Sequence, residues 1–507
     1  CFMTQAVDRV NFVLTLSVML AMAIPLLLFP EVSALVLQTA YNFLATELGW
    51  LYILTAISAF SAVLFLAFGP YGRVRLGDDT PEFSTASWIA MLFAAGIGAG
   101  MMYWASIEWA FYVDAPPFGA EPRSPEAYVW ASSFGLHHWG LVAWSFYCLP
   151  TLAIAYPYYA RGVSKLKYSI SAPHFIKGGE ASIGARLMDS FFMIALVGGI
   201  GSSLGFSTPM IAALISRLTG IPVSFEMELF VVAACVAMFG TSVWLGLKRG
   251  IKRLSDFNMV LAFVILVCIL LASDTVFLLK MAINSIGHTL QNTVAMMFWT
   301  DPINDTGFIE DWTIFYWAWW LAYGPFIGIF VTRISKGRSL REVVLGMLGM
   351  GSMGVWLFYL IIGNHSLGLQ LSSEVDVLGV MAESDGNQAI IAGLDVLPGA
   401  TLFIIAFIFL TSIFTATTYD SASYVLSASA TKSLKPSEDP ARWHRVFWAC
   451  AIAILPIGLM YAGGLKTAQT VVLVVSLPLV FTFWLSGISL FKSLKEDHGE
   501  VWDPSAT

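Results

Sequence analysis

Between Trp312 and Tyr323 the sequence sets Trp312, Tyr316, Trp319, Trp320 and Tyr323 along one side of a helix. At about 100° per residue they share an arc of about 100° and run over about 16 Å of helix length. Tryptophan and tyrosine faces attract ammonium groups that have no hydrogen to donate, so such a stripe offers a wall for a methylated cation. The other reading is core or interface packing. A membrane-interface belt, however, would hold its aromatics at one depth.

A second aromatic set lies upstream. In His138-Trp139-Gly140-Leu141-Val142-Ala143-Trp144-Ser145-Phe146-Tyr147, residues Trp139, Trp144 and Tyr147 fall within about 140° of arc on one helix. By spacing alone, core packing and a binding wall stand level. Phe414-Thr415-Ala416-Thr417-Thr418-Tyr419-Asp420-Ser421 puts a hydroxyl pair in an apolar helix. Such hydroxyls often bond back to their own helix; with unwound carbonyls they also supply the neutral oxygens a sodium ion wants. Gly96-Ile97-Gly98-Ala99-Gly100 has no strand or lysine around it, so it is not a nucleotide loop. It serves either close helix packing or a locally unwound helix whose carbonyls line a site. Glu108 is a carboxylate inside an apolar run and a functional candidate for that reason. His137 and His138 form no metal-ligand spacing with another His or Cys, so no transition-metal site is expected.

The elements that must position these residues follow from composition. With 58% hydrophobic and 12% charged residues among 507, this is an all-α integral membrane protein. The net charge of −7 and the lack of a basic tract argue against a nucleic-acid partner. Cys148, Cys235, Cys268 and Cys450 are scattered through apolar runs and suggest no disulfide framework. Cys1 opens the chain without a preceding signal segment, so a start inside a longer gene product is expected rather than a lipidated terminus.

Twelve transmembrane helices are expected, near 11–29, 50–69, 86–112, 128–158, 188–215, 228–247, 255–276, 312–334, 343–363, 399–430, 444–463 and 469–491. Lys280–Phe298 is too polar to span and reads as an amphipathic surface helix. With the N-terminus in the cytoplasm, alternation leaves only Arg123, Arg217, Lys280 and Lys466 outside, of 26 Lys and Arg. That asymmetry supports twelve spans with both termini cytoplasmic. Breaks are expected in the third span, at Gly96–Gly100, and in the eighth, at Gly324-Pro325. They lie five spans apart, so each opens a five-helix unit and the two units have opposite orientation. Interruptions so placed in an inverted repeat point to a transporter's binding site.

The Trp-rich segment and its tail Arg333-Ile334-Ser335-Lys336-Gly337-Arg338 resemble the betaine/choline/carnitine transporter (BCCT) family, whose signature there is R-I-S-[RK]-G-R. The resemblance extends over roughly residues 65–490. It implies an inverted five-helix repeat of leucine-transporter type after two N-terminal helices. The chain would then divide into 1–85 (two helices and a loop), 86–276 (first repeat), 277–311 (surface helix and loop), 312–491 (second repeat) and 492–507 (a short acidic tail). The H-W-G-x-x-x-W-x-x-Y match implies an aromatic box of Trp139, Trp144 and Tyr147, completed by Trp319, Trp320 and Tyr323, with Gly96 and Gly98 along the substrate path. Phe111, expected at the substrate, stands where carnitine exchangers carry Tyr, so its contact would lack the hydroxyl, and Glu108 takes a position whose role in the family is more structural than ligand-binding. The span-ten stretch is similar to the sodium-coupled branch. It implies hydroxyls from Thr417 and Thr418 and carbonyls from Ala94, Ile97 and Phe414.

Sodium-independent exchangers carry Arg at the position matched to Asn258, so its absence favours sodium coupling. The expected function is sodium-coupled alternating-access import of a quaternary ammonium or sulfonium compound, across the inner membrane and without a cofactor. The alternative is sodium-independent exchange of carnitine and butyrobetaine type. A channel would want a row of pore-facing polar residues, and an enzyme a nucleophile–base pair; neither is visible. Family members form trimers, and the helix at 280–298 is a candidate subunit contact. The tail from 492 lacks the long basic helix of osmosensing members.

Overall fold

In a bilayer every backbone amide needs a partner within the protein, so apolar stretches of this length become helices. The computed structural model describes residues 6–499 except 78–79, 180, 246–247, 433, 435–437 and 463–464, so the last part of the tail, 500–507, lies outside the described residues. Among the described residues the secondary structure is helical, apart from two isolated bridges. Among the described residues ten helices are long and apolar enough to cross a membrane, and the bent pair Thr85–Ala95 and Ala99–Asp114 makes an eleventh span. Phe225–Leu245, 21 residues long, occupies the place of the expected sixth span. Each of the twelve expected segments is thus matched by a helix, and this is a multi-pass membrane protein.

The third span breaks where its glycines predict. Its two halves meet at 63° across Gly96–Gly98, with Gly98 fully extended at φ −138° and ψ 176°. The eighth span does not break, which corrects the expectation at Gly324-Pro325: Phe315–Ile334 is helical throughout. Gly324 instead permits close approach. A Cβ there would lie 2.6 Å from the Phe146 carbonyl oxygen, and one at Gly328 would lie 3.1 Å from the Thr151 nitrogen. These two small residues, one turn apart, seat the eighth span against the backbone of the fourth. The fourth span carries the unexpected interruption, at Gly140 between Pro125–Trp139 and Leu141–Tyr159. A Cβ at Gly140 would meet Trp356 Nε1 at 2.6 Å.

The ninth span, Leu340–Leu371, is widened by π-helical turns at Met347–Gly351 and Tyr359–Gly363. Such bulges concentrate at functional sites. The helix predicted at 280–298 forms as Thr275–Phe298, begun by an Asp274 side-chain cap.

The R-I-S-K-G-R tail closes a clasp between loops. Leu76 N–H donates to the Arg338 carbonyl at 2.8 Å, and the Gly337 and Leu340 amides donate to Leu76 and Val74, each at 2.9 Å. The Arg338 guanidinium lies 4.7 Å from the Trp88 ring centroid. It donates to the Phe83 carbonyl at 3.0 Å and to Thr85 Oγ1 at 3.1 Å. The signature therefore anchors the first half of the broken third span. Arg338→Ala deletes these bonds to a buried cation and is expected to cost about 2 kcal/mol or more of stability. Thermal unfolding in detergent reads that loss, with ligand affinity preserved because Arg338 is not among the cavity-lining residues.

Candidate functional site

The broken third span and the fourth, eighth and tenth spans surround one cavity of about 1020 Å³. Trp139, Trp144, Tyr147, Trp319, Trp320 and Tyr323 all line it, as do Gly96, Gly98, Ala94, Ile97, Phe414, Thr417 and Thr418. Two aromatic sets nearly two hundred positions apart in the chain thus meet at one wall. Phe111 is placed elsewhere, 5.2 Å from Trp312 and 6.1 Å from Trp104 between ring centroids. Those rings, with Phe206 at 5.0 Å from Trp104, pile up on the side of the cage away from Arg333. At its other end the cavity reaches Asp256, Arg333, Ser421 and Tyr424.

The cage rings hold one another at an angle. Trp139 meets Trp320 edge to face at 4.6 Å, Tyr147 meets Trp320 at 6.0 Å, and Trp144 meets Tyr147 at 5.3 Å. Trp319 and Trp320 stack at 5.1 Å and 8°. Their N–H groups are turned outward and satisfied: Trp319 Nε1 donates to the Gly199 carbonyl at 3.0 Å and Trp320 Nε1 to the His138 carbonyl at 2.7 Å. Anchoring the polar edge leaves the π faces to the cavity. Trp144 packs into a slot lined by two glycines, because a Cβ on Gly96 or Gly351 would fall 2.7 Å and 2.5 Å from its Cζ2.

Glu108 is 1% exposed and collects four donors. Tyr112 donates to Oε1 at 2.7 Å, and Trp139 Nε1, Tyr316 and Tyr359 donate to Oε2 at 2.9, 2.5 and 2.6 Å. It is absent from the cavity lining. Tyr316 was visible in the aromatic stripe and Tyr112 stands one helical turn after Glu108; Tyr359 carries no local signal beyond the rule that a buried carboxylate needs donors. His138 packs beside them, with Nδ1 2.8 Å from the Tyr112 hydroxyl and Nε2 3.0 Å from Thr313 Oγ1.

Thr417 and Thr418 both donate to the Phe414 carbonyl, at 3.0 and 2.8 Å, so the back-bonded reading of these hydroxyls is what the structure contains. Donation uses only the hydrogen and leaves the oxygen lone pairs available. Asn258 does not face this pair. Its amide donates to the Leu410 carbonyl at 3.3 Å, while Met259, the next residue, lines the cavity. One helical step turns a side chain by about 100°, so Met259 and not Asn258 faces the cavity here. Its thioether is neutral.

The site is thus an aromatic cage inside a bundle of membrane-spanning helices, continuous with a set of neutral oxygens. The profile of the betaine/carnitine/choline family transporters (BCCT) matches residues 10–499, and the chain belongs to that family. The family's architecture, two N-terminal helices before an inverted five-helix repeat, is thereby its own; matching helix breaks do not carry that assignment, since the eighth span is continuous. Among curated relatives, the uncharacterized transporter YeaV of Escherichia coli K12 is 32% identical over 444 residues, 87% of this chain and 92% of that protein. A carnitine transporter of Acinetobacter baumannii is also 32% identical, over 448 residues, 87% of this chain and 81% of that one. A solved sodium-coupled sialic acid symporter matches at 14% identity over 91% of this chain and 93% of its own, with a TM-score of 0.38, too low to bear on function.

Proposed function

We propose that this protein imports a quaternary ammonium or sulfonium compound by sodium-coupled alternating access. The observation that carries the reading is the continuity of cage and oxygen set in one cavity. The trimethylated head would sit among Trp139, Trp144, Tyr147, Trp319, Trp320 and Tyr323, where each desolvated ring contact contributes about 2 kcal/mol. The half-helix Ala99–Asp114 starts at Gly98 without a side-chain cap, and a Cβ at Gly98 would meet nothing within 4 Å. Free amides at a helix start favour an anion. This supports a substrate with a carboxylate tail, as in betaine or carnitine.

Sodium would take the Thr417 and Thr418 hydroxyl oxygens with the Ala94, Ile97 and Phe414 carbonyls, at the break of the third span. An ion there joins that span to the tenth, and its binding energy favours one orientation of the bundle over the other. The cavity reaches Arg333, the end expected in the cytoplasm, while aromatics close the opposite end, which supports an inward-facing state. On the same reading, residues 86–276 and 312–491 are the two halves of the repeat, and the protein is a homotrimer of the cytoplasmic membrane. Thr275–Phe298 presents exposed Val276, Leu279, Ile283, Leu290 and Val294 for a subunit contact.

Tryptophan fluorescence of the purified protein, titrated with glycine betaine, carnitine and choline, tests this in sodium and in potassium. Affinity is expected to rise in sodium, and Thr417→Val with Thr418→Val is expected to erase the difference while the potassium value holds. Equal affinity of the unaltered protein in both salts would favour the exchanger reading instead.

A further inference from the structure

Glu108 is a buried carboxyl with no partner of opposite sign among the described residues. The Trp139 N–H donates to Oε2, and the Tyr316 and Tyr359 hydroxyls crowd the same oxygen while Tyr112 takes Oε1, a shell that suits an ionised carboxylate. No ion pair among the described residues includes it. Hydrogen bonds lower the cost of burying such a charge but leave its field in place. The donors come from four spans: Tyr112 from the third, Trp139 from the fourth, Tyr316 from the eighth and Tyr359 from the ninth.

Three of these donors belong to or abut the cage, Tyr359 lying 5.7 Å from Trp139 between ring centroids. Trp139 is a cage ring, 4.6 Å from Trp320. Tyr316 stacks on Trp320 at 5.7 Å and 23° and on Trp319 at 6.1 Å and 26°. An N–H that donates to an anion leaves its own ring richer in electrons, because bonded dipoles polarise one another in a low-dielectric interior. A richer ring binds a cation more strongly and a neutral group no better.

Resting on the cage reading above, we propose that Glu108 is a specificity-determining positioning residue: its charge, passed to the cage through the Trp139 N–H, makes a cationic head preferred over a neutral one of the same shape. The substrate's ammonium becomes the counter-charge that the protein itself does not supply. Glu108 touches no substrate in this scheme. It fixes the rotation of the Trp139 indole and biases its face.

The test pairs each ammonium ligand with its carbon isostere on the full chain in lipid nanodiscs: zwitterionic glycine betaine against the tert-butylacetate anion, and choline against its neutral tert-butyl analogue. Glu108→Gln is expected to weaken both ligands with an ammonium head by about tenfold and to leave the members with a tert-butyl head within about twofold. Trp139→Phe keeps a ring and deletes the N–H, and is expected to narrow the same ratio; it decides the matter if Glu108→Gln does not fold. Equal losses within each pair would show a purely structural role and overturn the proposal, as would ammonium-ligand affinities that do not change. Failure of the unaltered protein to bind any of the four would instead overturn the cage reading, and this proposal with it.

Discussion

Trp320→Ala is expected to weaken binding of a trimethylammonium ligand by about 30-fold, the equivalent of about 2 kcal/mol for one desolvated ring face. Trp320 is the residue on which the cage closes. It meets Trp139 at 4.6 Å, Tyr147 at 6.0 Å and Trp319 at 5.1 Å, and its N–H is fixed to the His138 carbonyl at 2.7 Å. Alanine removes the π face and also frees the neighbouring rings to turn into the space, so the loss should exceed that of a peripheral ring. Trp320→Phe retains a face but leaves the His138 carbonyl without its donor, and an intermediate loss is expected. Calorimetric titration with glycine betaine or choline measures both variants, with thermal unfolding alongside. If Trp320→Ala lowers the unfolding temperature while affinity holds, these aromatics are packing and the cage assignment falls.

What the sequence could and could not reveal divides along a physical line. Span positions were legible because apolar length is a local property; the aromatic spacings were local too, but they left packing and binding both open, and only the family resemblance joined the two sets. Gly324-Pro325 misled because a glycine that admits a neighbouring backbone looks the same in sequence as one that lets a helix unwind; only the Phe146 carbonyl beside it tells them apart. Gly140 was passed over for the same reason inside an otherwise recognised motif. Near Asn258 one residue on a helix is enough to exchange a side chain bonded to Leu410 for one lining the cavity, a difference that spacing along the chain does not display. Of the donors on Glu108, Tyr112 is one helical turn away and within local reach, whereas Tyr316 and Tyr359 lie 208 and 251 positions away in the chain and could not be paired with it. A buried carboxylate announces that partners exist without saying which.

The second large effect is expected where no side chain exists. Gly351→Ala should weaken ligand binding by about tenfold and destabilise the protein by about 1–3 kcal/mol, the usual cost of an added methyl group in a filled interior. The added carbon would lie 2.5 Å from both Cδ2 and Cζ2 of Trp144, and an indole is too rigid to bend aside. The ring is confined besides by Gly96, where a Cβ would stand 2.7 Å from the same Cζ2. Trp144 is 1% exposed, so its remaining way out is towards Tyr147 and the cavity, into the volume a ligand head would fill. A π-helical turn at Met347–Gly351 brings the glycine to this position. Adding Trp144→Phe should relieve the clash, so the double variant is expected to regain much of its stability and part of its affinity. Thermal unfolding and ligand titration on the single and double variants decide it. Recovery of stability by the double variant would establish the glycine slot as the mould for Trp144, whereas additive losses would mean that Gly351 acts through the backbone of the ninth span alone.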